Sequence, residues 1–343
     1  MARIGLVVNP AAGRDIRRLT GGASVVDDYA KRRVADCVLE GLTAVADPPA
    51  VGVMPDRAGI ADHVLEEAPE ELAADVLEIA VENTATDTRR AAARFREQEV
   101  GAVVVLGGDG TTRDVASEVG SVPVVAVSTG TNNVVPSAVD GTVAGVAAAL
   151  VATGAVPAAD VVERHGRIEA RAETPNGEKR LTALAAAEVS SRSFIGSRAL
   201  LDPDDLLGGV VSRAHPGDIG LPAVAGALEP IAPDGSGGVA LRLTDPDDAP
   251  RTARAVLAPG VVATVGIESC ERVDPDEPVA FEVPDGVVGA DGERELELTD
   301  ATVEFRVRSD GPRLVDVDAT LSAGAETSAF ALEAVDASPA PED

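Results

Sequence analysis

Gly107, Gly108, Asp109, Gly110 and Thr111 directly follow the apolar run Val103-Val104-Val105-Leu106. A glycine-rich turn carrying one acid therefore stands at the end of a buried strand. Glycines let the backbone come close to a bulky anion with its N–H groups turned towards it. A helix expected over Thr111 to Val119 aims its positive end at the same place. Phosphate is the ligand that such a turn suits. A single carboxylate among phosphate-binding groups has two chemical uses: it can accept a proton from an attacking hydroxyl, or hold a metal bound to phosphates. A plain helix cap would also account for Asp109, but five consecutive matching residues after a strand outweigh that reading.

Other residues have the types such a site needs. Gly130-Thr131-Asn132-Asn133 follows the next apolar run, Pro123 to Val127. Asn132 and Asn133 each offer one acceptor and two donors, which suits the edge of a base or a ribose, with an ordinary turn as the plainer alternative. Asn9 precedes Pro10 at the end of the first strand, where it shapes a turn or faces phosphate. Arg14, Arg17 and Arg18 follow and read first as solvated loop arginines, secondly as mobile charges for phosphates. Glu188 ends an apolar strand, Leu181 to Ala187, either as an acceptor for a ligand or as a strand-edge charge.

Together these segments resemble the superfamily that joins NAD kinases with diacylglycerol and sphingosine kinases. The resemblance rests on Gly107 to Thr111, on Ile4-Gly5-Leu6-Val7-Val8-Asn9-Pro10-Ala11-Ala12-Gly13, on Gly130 to Asn133 and on Ala186-Ala187-Glu188-Val189, in that order over residues 3 to about 190. Within it, the chain is most similar to the ATP-NAD kinase branch that includes acetoin catabolism protein X. The resemblance implies transfer of a phosphoryl group from ATP, or polyphosphate, with Mg²⁺, to the 2′-hydroxyl of NAD, giving NADP. It assigns Asp109 to that hydroxyl as base, and Asn9, Gly107, Gly108, Gly110, Thr111, Thr131, Asn132, Asn133 and Glu188 to nucleotide and phosphate. No metal ligand is assigned. Two departures stand out. Ala187 replaces an Asn expected at the adenine of NAD, and the Gly-Ser-Thr-Ala-Tyr type segment of the second domain is missing. The Gly-Thr-x-Asn turn leans towards the diacylglycerol kinase branch. A kinase for another hydroxylated metabolite or a lipid headgroup, or a non-catalytic nucleotide-binding regulator, is the alternative.

Positioning these groups requires a scaffold, and the apolar pattern describes one. Strands are expected at Arg3 to Asn9, Val51 to Met54, Asp75 to Ala80, Ala102 to Leu106 and Val122 to Val127. Helices are expected at Val26 to Leu42, Thr86 to Glu97 and Pro136 to about Val151. Strands alternating with helices imply a doubly wound parallel sheet. Past Pro157 the chain alternates at period two, as in Ile168 to Ala172, Leu241 to Leu243, Leu296 to Leu298 and Val303 to Val307, implying half-buried antiparallel strands. Acidic turns such as Asp245-Pro246-Asp247-Asp248 separate them, and a helical patch from Gly196 to Leu206 interrupts them. The expected fold is an α/β nucleotide-binding domain over residues 1–155, a β-rich substrate domain over 156–335 and a disordered tail over 336–343. The cleft between the domains holds the site.

Composition narrows the partners. Among 343 residues, 58 are acidic and 29 basic, and Lys31 and Lys179 are the only lysines. Acid excess with arginine in place of lysine suits concentrated salt, where screening removes self-repulsion. Nucleic acid and stable membrane association are not expected of such a surface. NAD or a related small metabolite is the expected partner, and a homo-oligomer is left open. No apolar run reaches membrane-spanning length and no charged-then-apolar leader precedes the first strand, so a cytoplasmic protein is expected. Cys37 and Cys270 imply neither a disulfide framework nor a zinc site, and His63, His165 and His215 lack metal-ligand spacing.

Overall fold

Valine-rich runs buried on both faces need helices on both sides of the sheet that contains them. The computed structural model describes residues 1–12, 27–130, 133–175, 177–191, 205–231 and 235–330, and it has that arrangement. The first elements are β1 (Arg3–Val8), α1 (Asp28–Leu42), β2 (Ala50–Val53), α2 (Ile60–Glu66), β3 (Ala74–Val76), α3 (Ala85–Glu97), β4 (Ala102–Gly107), α4 (Asp109–Ala116), β5 (Val124–Ser128) and α5 (Gly141–Thr153). Strands β1 to β5 pair in parallel in the order β3-β2-β1-β4-β5. Side chains alternate across the sheet. Leu6 and Val104 pack with α1, α2 and α5 on one face. Val7, Val103 and Val105 pack with Ala91, Phe95 and Val115 of α3 and α4 on the other. The doubly wound parallel domain read from the sequence is thus present. Helices α1 and α5 touch backbone to backbone. A Cβ on Gly41 would lie 2.0 Å from the Thr142 carbonyl oxygen, and one on Gly145 2.2 Å from that of Val38.

The chain continues through α6 (Ala158–Val161) and β6 (Val162–Arg164) into a second sheet: β7 (Arg167–Thr174), β8 (Gly177–Ala183), β9 (Ala186–Ser190), β10 (Leu206–Val211), then α7 (Leu221–Gly226), β11 (Gly238–Thr244), β12 (Arg251–Ala258), β13 (Val261–Val273), β14 (Val279–Ala290) and β15 (Glu293–Arg308). These nine strands are ordered β12-β13-β11-β10-β9-β14-β15-β7-β8, antiparallel as the period-two pattern implies. The chain then returns. Strand β16 (Arg313–Val315) pairs with β5 and β6, and α8 (Val317–Glu326) packs against the first core. The two sheets therefore do not divide the chain into consecutive stretches, because residues 162–164 and 313–326 lie beyond residue 155 and belong with the first. The exit and return strands are neighbours: His165 N–H donates to the Pro312 carbonyl at 2.9 Å, and Arg164 Nη1 to that of Gly311 at 2.9 Å.

Several elements differ from their sequence pattern for local reasons. Strand β3 stops at Val76, not Ala80, because its partner β2 runs into Pro55, and Leu77 makes the last bond, to Val53. Helix α5 begins at Gly141, not Pro136. Ser137 is taken into a bridge with Val127, and the Asp140 carboxylate caps the helix through Thr142 N–H at 2.8 Å. The short α2 had no strong pattern of its own; Asp56 holds its start by accepting from Ala58, Ile60 and Ala61. The expected strand from Leu181 to Ala187 is two strands, broken at Leu184 and Ala185. The runs Leu296 to Leu298 and Val303 to Val307 belong to the single strand β15. Most of the helical patch from Gly196, the loop arginines Arg14, Arg17 and Arg18, and the tail lie outside the described residues.

Candidate functional site

Strands β1 and β4 are neighbours, and the winding of the sheet changes sides between them. Loops at the carboxyl ends of two such strands diverge and leave a crevice where ligands bind. Asn9 follows β1, and Gly107 to Thr111 follow β4, so both sequence-selected turns stand at this switch point. They are joined there: Asn9 Nδ2 donates to Thr111 Oγ1 at 2.8 Å, and Asn9 Oδ1 accepts from Ala11 N–H at 2.9 Å. Beneath the first turn, fully buried Lys31 donates to the Pro10 carbonyl oxygen and lies 3.4 Å from Asp28 Oδ1.

Two glycines of the second turn are closely approached from within the protein. A Cβ on Gly107 would lie 2.6 Å from the Thr111 Cβ, and one on Gly108 2.7 Å from Asn133 Oδ1. Gly108 is also the N-cap of α4, which starts at Asp109, inside the motif, and not at Thr111. Asp109 is 5 % exposed. Its Oδ1 accepts from Val135 N–H at 2.8 Å and its Oδ2 from Val134 N–H at 2.9 Å. Asn133 ties the two turns together: its Oδ1 accepts from Asp109 N–H at 3.4 Å while its Nδ2 donates to Ser128 Oγ at 2.7 Å. Both ends of the Asn133 amide are thus engaged within the protein. Thr131 and Asn132 lie outside the described residues.

The second sheet supplies the opposing wall. Glu188 lies in the middle of β9, between β10 and β14, so it is not a strand-edge charge. It is 5 % exposed, and Oε1 accepts from Gly292 N–H at 3.1 Å. Its neighbour Ala187 packs on the opposite face with Ile168, Val189, Val210 and Phe305. The residue read as the vacant adenine contact is therefore a core residue, because adjacent positions of a strand face opposite ways. The tight turn from β14 to β15 carries Asp291, Gly292 and Glu293. The Asp291 carboxylate accepts from Leu184, Ala185 and Ala186 N–H groups, at 3.0, 2.7 and 3.2 Å from Oδ1. This capture is what interrupts the strand expected there. A methyl group on Gly110 would lie 3.5 Å from Glu293 Oε2, so this turn meets the turn of Gly107 to Thr111. Arg113 of α4 completes the contact, donating to the Ala290 carbonyl at 3.0 Å, Asp291 Oδ2 at 3.3 Å and Glu295 Oε1 at 2.6 Å. Val135, Leu184 and Ala185 form a small apolar patch beside it.

Charge in this region is unevenly balanced. Burial alone would lower the Arg113 pKa, but Asp291, Glu295, Glu293 and Asp114 outweigh it, and the guanidinium is held still more firmly protonated. Asp114 is pushed up by burial despite its pair with Arg89 at 2.7 Å. Among the described residues no group of three or more His, Cys, Asp or Glu could hold a metal ion. Asp291, Gly292, Glu293 and Arg113 were not found by sequence reasoning. Asp-Gly between apolar runs does signal a hairpin turn, but nothing local shows that this turn meets the first domain.

Residues 4–155 match the ATP-NAD kinase N-terminal domain, and residues 166–310 match the acetoin catabolism protein X C-terminal domain. The chain is 36 % identical over 329 residues to acetoin catabolism protein X of Cupriavidus necator, covering 93 % of this chain and 91 % of that one. A crystal structure of yeast NADH kinase complexed with NADH aligns at 13 % identity and a TM-score of 0.47, covering 92 % of this chain and 83 % of that one. The chain belongs to the acetoin catabolism protein X family, an ATP-NAD kinase type N-terminal domain joined to that family's own C-terminal domain.

Proposed function

We propose that this chain is a phosphotransferase that moves a phosphoryl group from ATP, or polyphosphate, to a hydroxyl group, with the 2′-hydroxyl of NAD as the first acceptor to test and NADP as product. The observation that carries the reading is the convergence at the switch point. Two turns with backbone N–H groups and a helix start are tied by the Asn9–Thr111 bond and faced by Glu293, next to Gly292, which donates to Glu188. Phosphoryl transfer asks a protein mainly for positioning and charge stabilisation, and this arrangement offers both. Gly108, Gly110 and Thr111 cradle the phosphates at the helix start. Asn9 and Asn133 fix the shape of that cradle.

Asp109 is the acid of the motif, but its carboxylate is engaged by the Val134 and Val135 amides. We infer that it braces the turn as well as facing the acceptor hydroxyl, and that Glu293, beside Gly110, is the second candidate base. Mg²⁺ accompanies ATP in such chemistry through phosphate oxygens, waters and one or two carboxylates. Glu293, whose carboxylate lies against Gly110 of the turn, would be the first carboxylate to hold it. When bound, it neutralises charge on the phosphoryl oxygens.

A different hydroxylated acceptor is the second reading, favoured by one observation: Ala187 faces the core and offers no contact where NAD kinases carry an Asn. The family's name points the panel towards small hydroxy-ketones. Operation in the cytoplasm completes the proposal; among the described residues no helix is long and apolar enough to cross a membrane. The test is incubation with radiolabelled ATP and Mg²⁺ against NAD and a panel of hydroxylated metabolites in high salt. NADP formation supports the first reading, and another labelled product supports the second. No label transfer alongside a ligand-induced rise in Tm leaves a nucleotide-binding regulator.

A further inference from the structure

Arg113 stands one helical turn after Asp109 on α4, the helix that begins inside the phosphate turn. Its guanidinium spends its hydrogen bonds on the second sheet: the Ala290 carbonyl, Asp291 and Glu295. Asp291 has a fully buried side chain, Arg113 one that is 13 % exposed. The same Asp291 carboxylate takes the N–H groups of Leu184, Ala185 and Ala186, which lead directly into Glu188. Glu188 in turn accepts from Gly292, the residue after Asp291. An unbroken chain of hydrogen bonds thus runs from the phosphate-turn helix to the strand and turn that carry Glu188 and Glu293.

We propose that Arg113 is a positioning residue: its planar fork sets the separation and register between the phosphate turn and the opposing carboxylate wall. The apolar patch of Val135, Leu184 and Ala185 already supplies adhesion between the domains, but apolar contact has no direction. Three acceptors met by one rigid fork on a helix do have direction. Lysine retains the charge but delivers it as a point and cannot reproduce the fork. The helix is short and starts at Asp109, so a displacement at Arg113 is transmitted to Asp109 and Gly110.

The kinetic arm of the test rests on the phosphotransferase reading, and the exchange arm does not. Arg113→Lys is compared with the wild-type full chain by hydrogen exchange. The Leu184, Ala185, Ala186 and Gly292 amides should exchange about tenfold faster, while the Val103 to Leu106 amides of β4 keep wild-type rates. With any acceptor that the wild-type protein phosphorylates, kcat should fall about 100-fold, the scale of a misplacement near 1 Å, with the donor KM unchanged. Unchanged exchange at Leu184 to Ala186 overturns the proposal. So does a uniform rise that includes β4, which marks general destabilisation, or a localised rise with wild-type kcat. If no acceptor is phosphorylated by the wild type, the phosphotransferase reading fails alone and the exchange pattern decides the positioning role. If Arg113→Lys does not fold, Glu295→Ala, which removes one half-buried acceptor of the fork, must give the same localised pattern, and its absence overturns the proposal.

Discussion

Asn9 donates to the Thr111 hydroxyl over 2.8 Å, and this bond joins the turns that follow two adjacent parallel strands at the point where the sheet changes its winding. The two turns are 102 residues apart in sequence. Their relative position depends on side chains as well as on the sheet beneath.

Thr111→Val keeps the shape of that side chain and removes the acceptor, leaving the Asn9 amide donor without its bond. Stability should fall by about 1–2 kcal/mol, and binding of a non-hydrolysable ATP analogue should weaken. Urea denaturation and calorimetric titration read the two effects. A variant equal to wild type in both would show that the turns do not need the bond.

Asp109→Asn puts an amide –NH₂ where one of the Val134 or Val135 N–H groups now finds an oxygen. Two donors then face each other in a buried place. We expect a stability loss of about 1–3 kcal/mol together with a fall in turnover of about 100-fold or more. Lost turnover at wild-type stability would mean that Asp109 is a base and no brace. Lost stability at wild-type turnover would mean the reverse.

Ala187→Asn should not tighten NAD binding. The new amide would enter the core beside Ile168, Val210 and Phe305, with a cost of about 2–4 kcal/mol for an unsatisfied buried polar group. Thermal unfolding of the variant with and without NAD checks this. A raised Tm and a larger NAD-induced shift would restore Ala187 to the ligand wall.

His165 sits at the crossing between the sheets, and its ring contacts the Gly166 carbonyl. Burial, the larger cause, and the nearby Arg213 push its pKa below the ordinary 6.5. The unfolded chain therefore takes up this proton first as pH falls. The stability contributed by neutral His165 is complete above pH 6.5 and is lost as pH falls through the lower folded value. Denaturation midpoints from pH 8 to about 5 should decline for the wild type, and His165→Gln should flatten that slope. Parallel slopes would assign the decline to other groups.

With a net charge of −29 and two lysines, the chain should lose helical and sheet ellipticity on dialysis into dilute buffer and recover it in molar KCl. Circular dichroism that is indifferent to salt would dismiss the idea that this surface is built for concentrated salt.

How far the sequence can be read follows the range of the interactions. Gly107 to Thr111 is legible because a strand, a glycine turn and a helix start are consecutive, and each is determined by near neighbours. Glu188 was legible as a residue of interest but not in its setting. Ala186 to Ser190 is buried on both faces, so the alternation that separates Ala187 from Glu188 is hidden. Asp291 was not legible at all. Its three amide partners are 105 to 107 residues away, and no local pattern records a carboxylate that interrupts a distant strand. Strand β16 is three residues long and pairs with strands from far earlier in the chain, which no periodicity can reveal.

The second sheet hangs from the first by two strands that lie side by side, joined by the His165–Pro312 and Arg164–Gly311 bonds. Topologically it is a cassette: cut at those two adjacent points, it leaves both halves of the first sheet and the turns after β1 and β4 uninterrupted. A cassette mounted in this way can be exchanged or remodelled over evolution without shifting the register of β1 against β4. The side that carries Asn9 and Gly107 to Thr111 and the wall that carries Glu188 and Glu293 are then free to change at different rates.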